Sequence, residues 1–117
     1  MPSTRSDTEQ SALLDMLYHV DLALRFAEGF DAQTFQADLR TIYAVTRCLE
    51  IISEASRRLS DDLKARHPAI EWKQMAGAGN VYRHDCEDVA ARYVWETVQR
   101  SLPPLRFVIA QELARTG

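Results

Sequence analysis

One short segment of the chain gathers side chains that can bind anions and transfer protons, namely Asn80, Arg83 and His84. Asn80 and His84 are four residues apart, and Arg83 follows Gly79 by four. Residues at this spacing are neighbours on one face of an α-helix. Gly77 and Gly79 each cost a helix about 1 kcal/mol relative to alanine, which indicates close approach of a second helix or a ligand. The segment is the candidate functional site.

The composition predicts a single soluble domain. The 117 residues carry a formal net charge of -3, and 46% of them are hydrophobic. No apolar run reaches about 18 residues, and the N-terminal segment is polar where a signal peptide would be apolar. We expect a flexible N-terminus over residues 1–8, one domain over residues 9–114, a cytoplasmic location and no membrane contact. The negative charge excludes a large, sequence-indifferent nucleic-acid surface but leaves a compact site possible.

Neither the two cysteines nor the candidate-site segment forms a motif that binds a metal or a cofactor. Cys48 and Cys86 lack metal-ligand spacing, so we expect free thiols. His84, Asp85 and Cys86 are adjacent on a helix and cannot all ligate one metal ion. The run Gly77-Ala78-Gly79 lacks the preceding strand and the third glycine of a dinucleotide-binding fingerprint. We therefore predict no bound metal and no cofactor.

Helical periodicity fills the first half of the chain. Ser6 caps a first helix that ends before Gly29, and Asp31 caps a second helix that continues to about Leu59 as the longest of the chain. Ser60 then caps a short helix, which the pair His67-Pro68 terminates because proline disfavours helical geometry in the residue before it.

Two further helices are predicted in the second half. One starts near Trp72, carries the candidate site and ends near Cys86 or Glu87. Asp88 caps the last long helix, which Pro103-Pro104 must bend or restart with Ser101 as a new cap. No stretch alternates with period two, so the predicted fold class is an all-α bundle.

Several sequence blocks follow one another in a specific order. They are Asp15-Met16-Leu17, the segment 44–55, Pro68-Ala69-Ile70-Glu71-Trp72, Gly77-Ala78-Gly79-Asn80, His84-Asp85, and Val94-Trp95-Glu96-Thr97-Val98 ahead of Leu102-Pro103. This series resembles the HepT-like family of the HEPN superfamily. Members of that family are small helical ribonuclease toxins paired with nucleotidyltransferase antitoxins. The resemblance covers most of the chain and implies an up-and-down HEPN-type bundle that forms a homodimer and takes RNA as its substrate.

The family motif is an Arg, usually followed by Asn, then three residues, His, any residue and Tyr. Asn80 and His84 match it in register, whereas Gly79 and Cys86 stand where the Arg and the Tyr would be. In the family the Arg and His face their copies across the dimer and cleave RNA without metal. The Tyr accepts nucleotide groups from the antitoxin.

Each catalytic assignment has a simpler structural alternative. His84 fits an acid-base group near neutral pH, or it pairs on the surface with Glu87 or Asp88. Arg83 is one turn beyond the position of the family Arg and could act as the phosphate clamp, or it forms an exposed ion pair with Glu87. Asn80 orients His84 or phosphate, or it fills a dimer seam.

Basic residues elsewhere in the middle of the chain offer further candidates. Arg47, Arg57, Arg58 and Arg66 could gather near the site without dominating the net charge. Glu54 either meets the site from a neighbouring helix or forms a salt bridge with Arg57 or Arg58.

Three functions are compatible with these residues. The leading hypothesis is a metal-independent endoribonuclease toxin of a type II or type VII toxin-antitoxin system. The alternative is a HEPN dimer that has lost catalysis and serves as a binding or regulatory module for a nucleotidyltransferase partner, which Gly79 and Cys86 favour. A purely structural helical adaptor would require neither the clustered polar residues nor the glycines beside them.

Overall fold

The computed structural model describes residues 5–84 and 87–115, and the side chains of residues 5–78 and 90–115. Within these residues the chain forms seven α-helices and one π-helical turn, with no strand. The elements are α1 (Asp7–Ala27), α2 (Ala32–Gln36), α3 (Leu39–Ser56), α4 (Asp61–Arg66), α5 (Trp72–His84), α6 (Glu87–Glu96), the π-helical turn (Thr97–Ser101) and α7 (Leu102–Ala114). The predicted all-α class is confirmed.

Helix α1 begins at the cap that the sequence predicts. The Ser6 hydroxyl accepts a hydrogen bond from the backbone N–H of Glu9 at 3.1 Å, which satisfies one of the unpaired donors at the helix start. The helix begins at Asp7, two residues before the expected domain start at residue 9. After the helix, Gly29 adopts a φ of 86°, a left-handed conformation that favours glycine.

The predicted long helix from Asp31 to Leu59 is wrong, because the structure divides it into α2 and α3. Asp31 caps α2 in a reciprocal capping box with Thr34. The backbone of Asp38 is extended, and its carboxylate accepts from the N–H of Thr41 at 3.1 Å to start α3. Helix α1, with 21 residues, is therefore longer than α3, with 18.

Packing of Phe35 explains the break between α2 and α3. Its side chain is fully buried, and its ring lies 5.2 Å from that of Trp95 and 6.3 Å from that of Phe30, measured between centroids. Burial of such a ring stabilises the fold by about 2 kcal/mol or more. The chain turns at residues 37–38, and this directs α2 against α6 while α3 continues along α1.

Helices α1, α3 and α7 form the centre of the bundle. Helix α3 runs antiparallel to α1, since Ser60 and Arg58, just after α3, contact Glu9 and Asp15 in the first half of α1. The largest fully buried apolar side chains belong to these helices and to α2, α4, α6 and the π-helical turn: Leu13, Met16, Val20, Phe35, Val45, Leu63, Val94, Val98, Leu102, Leu105 and Ile109.

The last helices differ from the prediction in two details. Helix α6 begins at Glu87, so Asp88 lies inside the helix rather than capping it. Helix α7 does restart before Pro103-Pro104, but the Ser101 side chain makes no capping hydrogen bond. The π-helical turn instead leads directly into α7, and its residue Thr97 donates a hydrogen bond to the carbonyl of Tyr93 at 2.9 Å. None of the described helices is long and apolar enough to cross a membrane.

Candidate functional site on helix α5

Helix α5 has the start that the sequence predicts and carries all three candidate residues. The indole Nε1 of Trp72 donates to the carbonyl of His67 at 3.0 Å, which ties the first residue of α5 to the end of α4. The helix continues to His84, so Asn80, Arg83 and His84 lie on one continuous backbone helix. Their side chains lie outside the described residues, and Asp85 and Cys86 are outside them altogether.

The buried residues of α5 lie on one strip of the helix, and the exposed residues lie on another. Ala78 is buried and Met75 is half-buried, while Lys73 and Gly77 are exposed. His84 follows Gly77 by seven residues, which is close to two helical turns. The register position of His84 therefore falls on the strip that begins with the exposed residues. The catalytic assignments of Asn80, Arg83 and His84 remain predictions.

Polar contacts with α3 hold the middle of α5. The Ser53 hydroxyl donates to the carbonyl of Ala76 at 3.1 Å. The Arg57 guanidinium donates to the same oxygen through Nε at 3.2 Å and Nη2 at 2.5 Å. Hydrogen bonds from a charged donor contribute about 1.5–3 kcal/mol. Because Ala76 is four residues before Asn80, these contacts act directly ahead of the candidate site.

Gly77 does not pack closely against another part of the same chain. A Cβ atom added to Gly77 would meet no heavy atom within 4 Å. Within the described part of the chain, the space beside Gly77 is therefore open. Close approach of a ligand or of a second copy of the chain stays a prediction.

The arginines proposed to gather near the site have other partners. Arg47 lies 3.7 Å from Glu50, Arg58 lies 3.3 Å from Asp15, and Arg66 lies 2.8 Å from Glu112. Arg57, by contrast, hydrogen-bonds to α5. Of the two alternatives for Glu54, the salt bridge to Arg57 or Arg58 is not formed, because both guanidinium groups are directed elsewhere.

An apolar cavity of about 260 Å³ lies on the packed side of α5, between α3, the π-helical turn and α7. No local sequence pattern marks this cavity, because its walls come from segments far apart in the chain. Its lining includes Leu49, Ile52, Ile70, Gln74, Met75, Ala78, Tyr93, Arg100, Leu102 and Leu105. Arg100 at this cavity is paired with Glu96 at 2.9 Å.

Among the residues whose side chains the structure describes, the titratable groups with resolved pKa shifts lie outside α5. Burial raises the pKa of the Glu112 carboxyl, but hydrogen bonds from Arg66 and His67 lower it to about 2. Burial also raises the pKa of Cys48, which is a free thiol as predicted. Strong shifts often mark functional sites, but the groups around Glu112 form a closed network of ion pairs and hydrogen bonds. Among the described residues, no group of three His, Cys, Asp or Glu side chains is arranged to hold a metal ion.

Comparison with known proteins identifies relatives along most of the chain. A family model described as "Ribonuclease HepT-like" matches residues 16–112. A protein of Thermococcus cleftensis named "Probable ribonuclease HepT" is 35% identical over 94 residues, which cover 80% of this chain and 86% of that protein. A protein of Methanocaldococcus jannaschii, named as a candidate RNase, is 32% identical over 94 residues, covering 80% of this chain and 81% of that protein.

A further relative extends the match nearly to both ends. It is a candidate RNase of Caldanaerobacter subterraneus, 27% identical over 108 residues, which cover 92% of this chain and 96% of that protein. No solved structure matches the chain significantly. Since the family model spans most of the sequence and the relatives match over most of their own length, the chain belongs to the HepT-like ribonuclease family.

Proposed function

We propose that this protein is a metal-independent endoribonuclease whose site spans a homodimer. The observation that carries the proposal is the family match over residues 16–112, with relatives named as ribonucleases. The continuous helix α5 supports it, because one element carries the positions of Asn80, Arg83 and His84. In this site His84 is the acid-base group, Arg83 the phosphate clamp and Asn80 the positioning residue.

The chemistry needs only groups that these side chains supply. A neutral imidazole removes the proton from a ribose 2′-hydroxyl, and the 2′-oxygen attacks the adjacent phosphorus. Arginine stabilises the negative charge that grows on the phosphoryl oxygens. The bond from phosphorus to the 5′-oxygen breaks, and that oxygen takes a proton from an imidazolium. In a dimer, the two copies of His84 supply one base and one acid.

We further propose that the protein is the toxin of a type II or type VII toxin-antitoxin system in the cytoplasm. Its antitoxin would be a nucleotidyltransferase, and the RNA would be a cellular transcript. The resemblance of the motif around Asn80 and His84 to the HepT-like family supports this partner. A nucleotidyltransferase reading frame beside the gene would be the first observation to look for.

The endoribonuclease proposal is tested by cleavage of total RNA in the presence of EDTA. We expect the wild-type protein to cleave and His84→Ala to lose about 10² to 10⁴ in rate. His19→Ala is the matched control, because His19 lies on α1 and its Nδ1 is 2.7 Å from the Asp15 carbonyl. Loss of all activity in EDTA, with recovery on adding a divalent cation, would contradict metal independence.

A second function is favoured by two residues of the sequence. Gly79 and Cys86 replace the family's Arg and Tyr, so a HEPN dimer without catalysis could act as a binding or regulatory module for a nucleotidyltransferase. If Arg83 has replaced the missing arginine, Arg83→Ala abolishes cleavage and Gly79→Arg in that background restores part of it. Arg40→Ala, an exposed arginine at the start of α3, is the control. Cleavage that appears only when Gly79→Arg is introduced would favour the binding module.

A further inference from the structure

Two side chains of α3 hold one backbone oxygen of α5. Ser53 Oγ lies 3.1 Å from the Ala76 carbonyl oxygen, and Arg57 Nε and Nη2 lie 3.2 and 2.5 Å from it. Ser53 is buried, whereas Arg57 is exposed and is the C-cap residue of α3. The two donors are four residues apart, so they project from the same side of α3. We refer to Ser53, Arg57 and the Ala76 carbonyl as the α3–α5 clamp.

The clamp lies where α5 has little helix preference of its own. Gly77 directly follows Ala76 and Gly79 comes two residues later, and glycine is the least favourable residue in a helix interior after proline. In an α-helix, the carbonyl of residue 76 is the acceptor for the backbone N–H of residue 80. A cation on that carbonyl therefore fixes the helical turn that leads into the candidate site.

The contacts of Arg57 differ from those of Arg47 and Arg58 on and beside the same helix. Arg47 and Arg58 pair with carboxylates, while Arg57 forms no ion pair with any described residue and directs two of its nitrogens at a backbone carbonyl. A guanidinium used in this way can orient a helix. It is less available to neutralise a phosphate than a guanidinium whose fork faces solvent.

We propose that Arg57, together with Ser53, is a positioning residue that holds the site-bearing half of α5 in register. This inference rests on the proposed ribonuclease function, since its purpose is to place residues 80–84 for RNA cleavage. Arg57 acts through the Ala76 carbonyl and does not touch the substrate. The clamp makes the geometry of the α5 site depend on α3.

The first test measures the helix without reference to catalysis. Amide hydrogen exchange of residues 77–84 should accelerate about ten- to a hundredfold in Arg57→Ala, because a charge-assisted hydrogen bond is lost. Arg57→Lys should recover part of the protection. Arg58→Ala is the matched control, since the neighbouring Arg58 pairs with Asp15 on α1, and it should leave residues 77–84 unchanged. Unchanged exchange in Arg57→Ala, or acceleration spread equally over α1 and α7, would overturn the proposal.

The second test uses the kinetics of RNA cleavage. Displacement of the site should lower kcat about ten- to a hundredfold in Arg57→Ala with little change in KM. A raised KM with a weaker salt dependence and an intact kcat would show that Arg57 binds RNA phosphate, which contradicts the positioning role. If the wild-type protein cleaves no RNA, the proposed function fails, and hydrogen exchange alone then decides whether the clamp holds α5.

Discussion

Glu112 is a carboxylate buried at the end of the bundle and held by side chains from another segment. Its carboxylate accepts from Arg66 at 2.8 and 3.2 Å and lies 2.6 Å from His67 Nε2. Arg5 donates to the Glu112 carbonyl. An isolated buried charge would be costly, so the Arg66 guanidinium and the His67 ring nitrogen that contact the carboxylate are what make burial of Glu112 acceptable. This network ties Arg5 and the end of α4 to α7.

The network predicts a loss of stability in acid. The pKa of Glu112 falls from its ordinary value of 4.5 to about 2 in the folded protein. A depressed folded pKa contributes stability above pH 4.5 that is lost as the pH falls toward 2. Glu112→Gln should lower the unfolding free energy at pH 7 by about 3 kcal/mol. Between pH 4.5 and pH 2, the unfolding free energy of this variant should also fall less steeply than that of the wild type. Urea unfolding at pH 7, 4.5 and 3 measures both effects.

A surface glutamate provides the control for Glu112. Glu96 pairs with Arg100 at 2.9 Å, but both side chains are largely exposed. Glu96→Gln should therefore change the unfolding free energy by less than about 0.5 kcal/mol. Equal losses in the two variants would contradict the role of burial at Glu112.

The helices of this bundle start in different ways, some at a side-chain cap and one without such a cap. Helices α1 and α4 start at serine caps, with Ser6 and Ser60 accepting from backbone N–H groups at 3.1 Å. Helix α3 starts at the Asp38 cap, although the apolar stripe continues across it. Helix α7 starts without a side-chain cap, directly after the π-helical turn. A serine just before a helix, such as Ser101, therefore does not always make a capping hydrogen bond.

Asp38 should matter for stability, whereas Ser101 should not. Asp38→Ala removes the hydrogen bond to the Thr41 N–H and should lower the unfolding free energy by about 1 kcal/mol. Ser101→Ala removes no capping hydrogen bond and should stay within about 0.5 kcal/mol of wild type. Thermal or urea unfolding of both variants measures the difference. A larger loss in Ser101→Ala than in Asp38→Ala would contradict the observed helix starts.

The whole protomer is elongated, with principal extents of 52 × 27 × 22 Å and a Cα radius of gyration of 14.6 Å. Its strip of exposed residues on α5 includes Gly77, beside which a side chain would have open space. A glycine inside a helix is destabilising when nothing approaches it. This favours the predicted homodimer with α5 in its seam, where a partner helix would occupy that space.

The dimer prediction is tested at Gly77. Light scattering should give about twice the mass of one chain for the wild-type protein and the mass of one chain for Gly77→Arg. The protomer itself has room for the new side chain, so Gly77→Arg should remain folded by circular dichroism. Ala37→Arg, at an exposed residue after α2, is the control and should stay dimeric. A monomeric wild type, or a dimeric Gly77→Arg, would contradict a seam at α5.

Local sequence patterns were sufficient for the helical class and for most helix starts. The caps at Ser6, Asp31 and Ser60 each join a side chain to a backbone N–H three residues away. Such contacts form within one turn and depend little on the rest of the fold. A helix through the positions of Asn80 and His84 was also predicted from the sequence, and α5 spans them.

Only the tertiary structure decided the features that join distant segments. The buried ring of Phe35 against Trp95 accompanies the break at Asp38, although the periodicity continues without interruption. Arg57 reaches a backbone carbonyl 19 residues away, and Glu112 meets Arg66 across 46 residues. No spacing rule fixes such pairs, because packing brings the segments together and a carbonyl has no side chain to mark it in the sequence. The sequence by itself therefore determined the helical class, most helix starts and the family, whereas packing determined the division of α2 from α3 and how α5 is held.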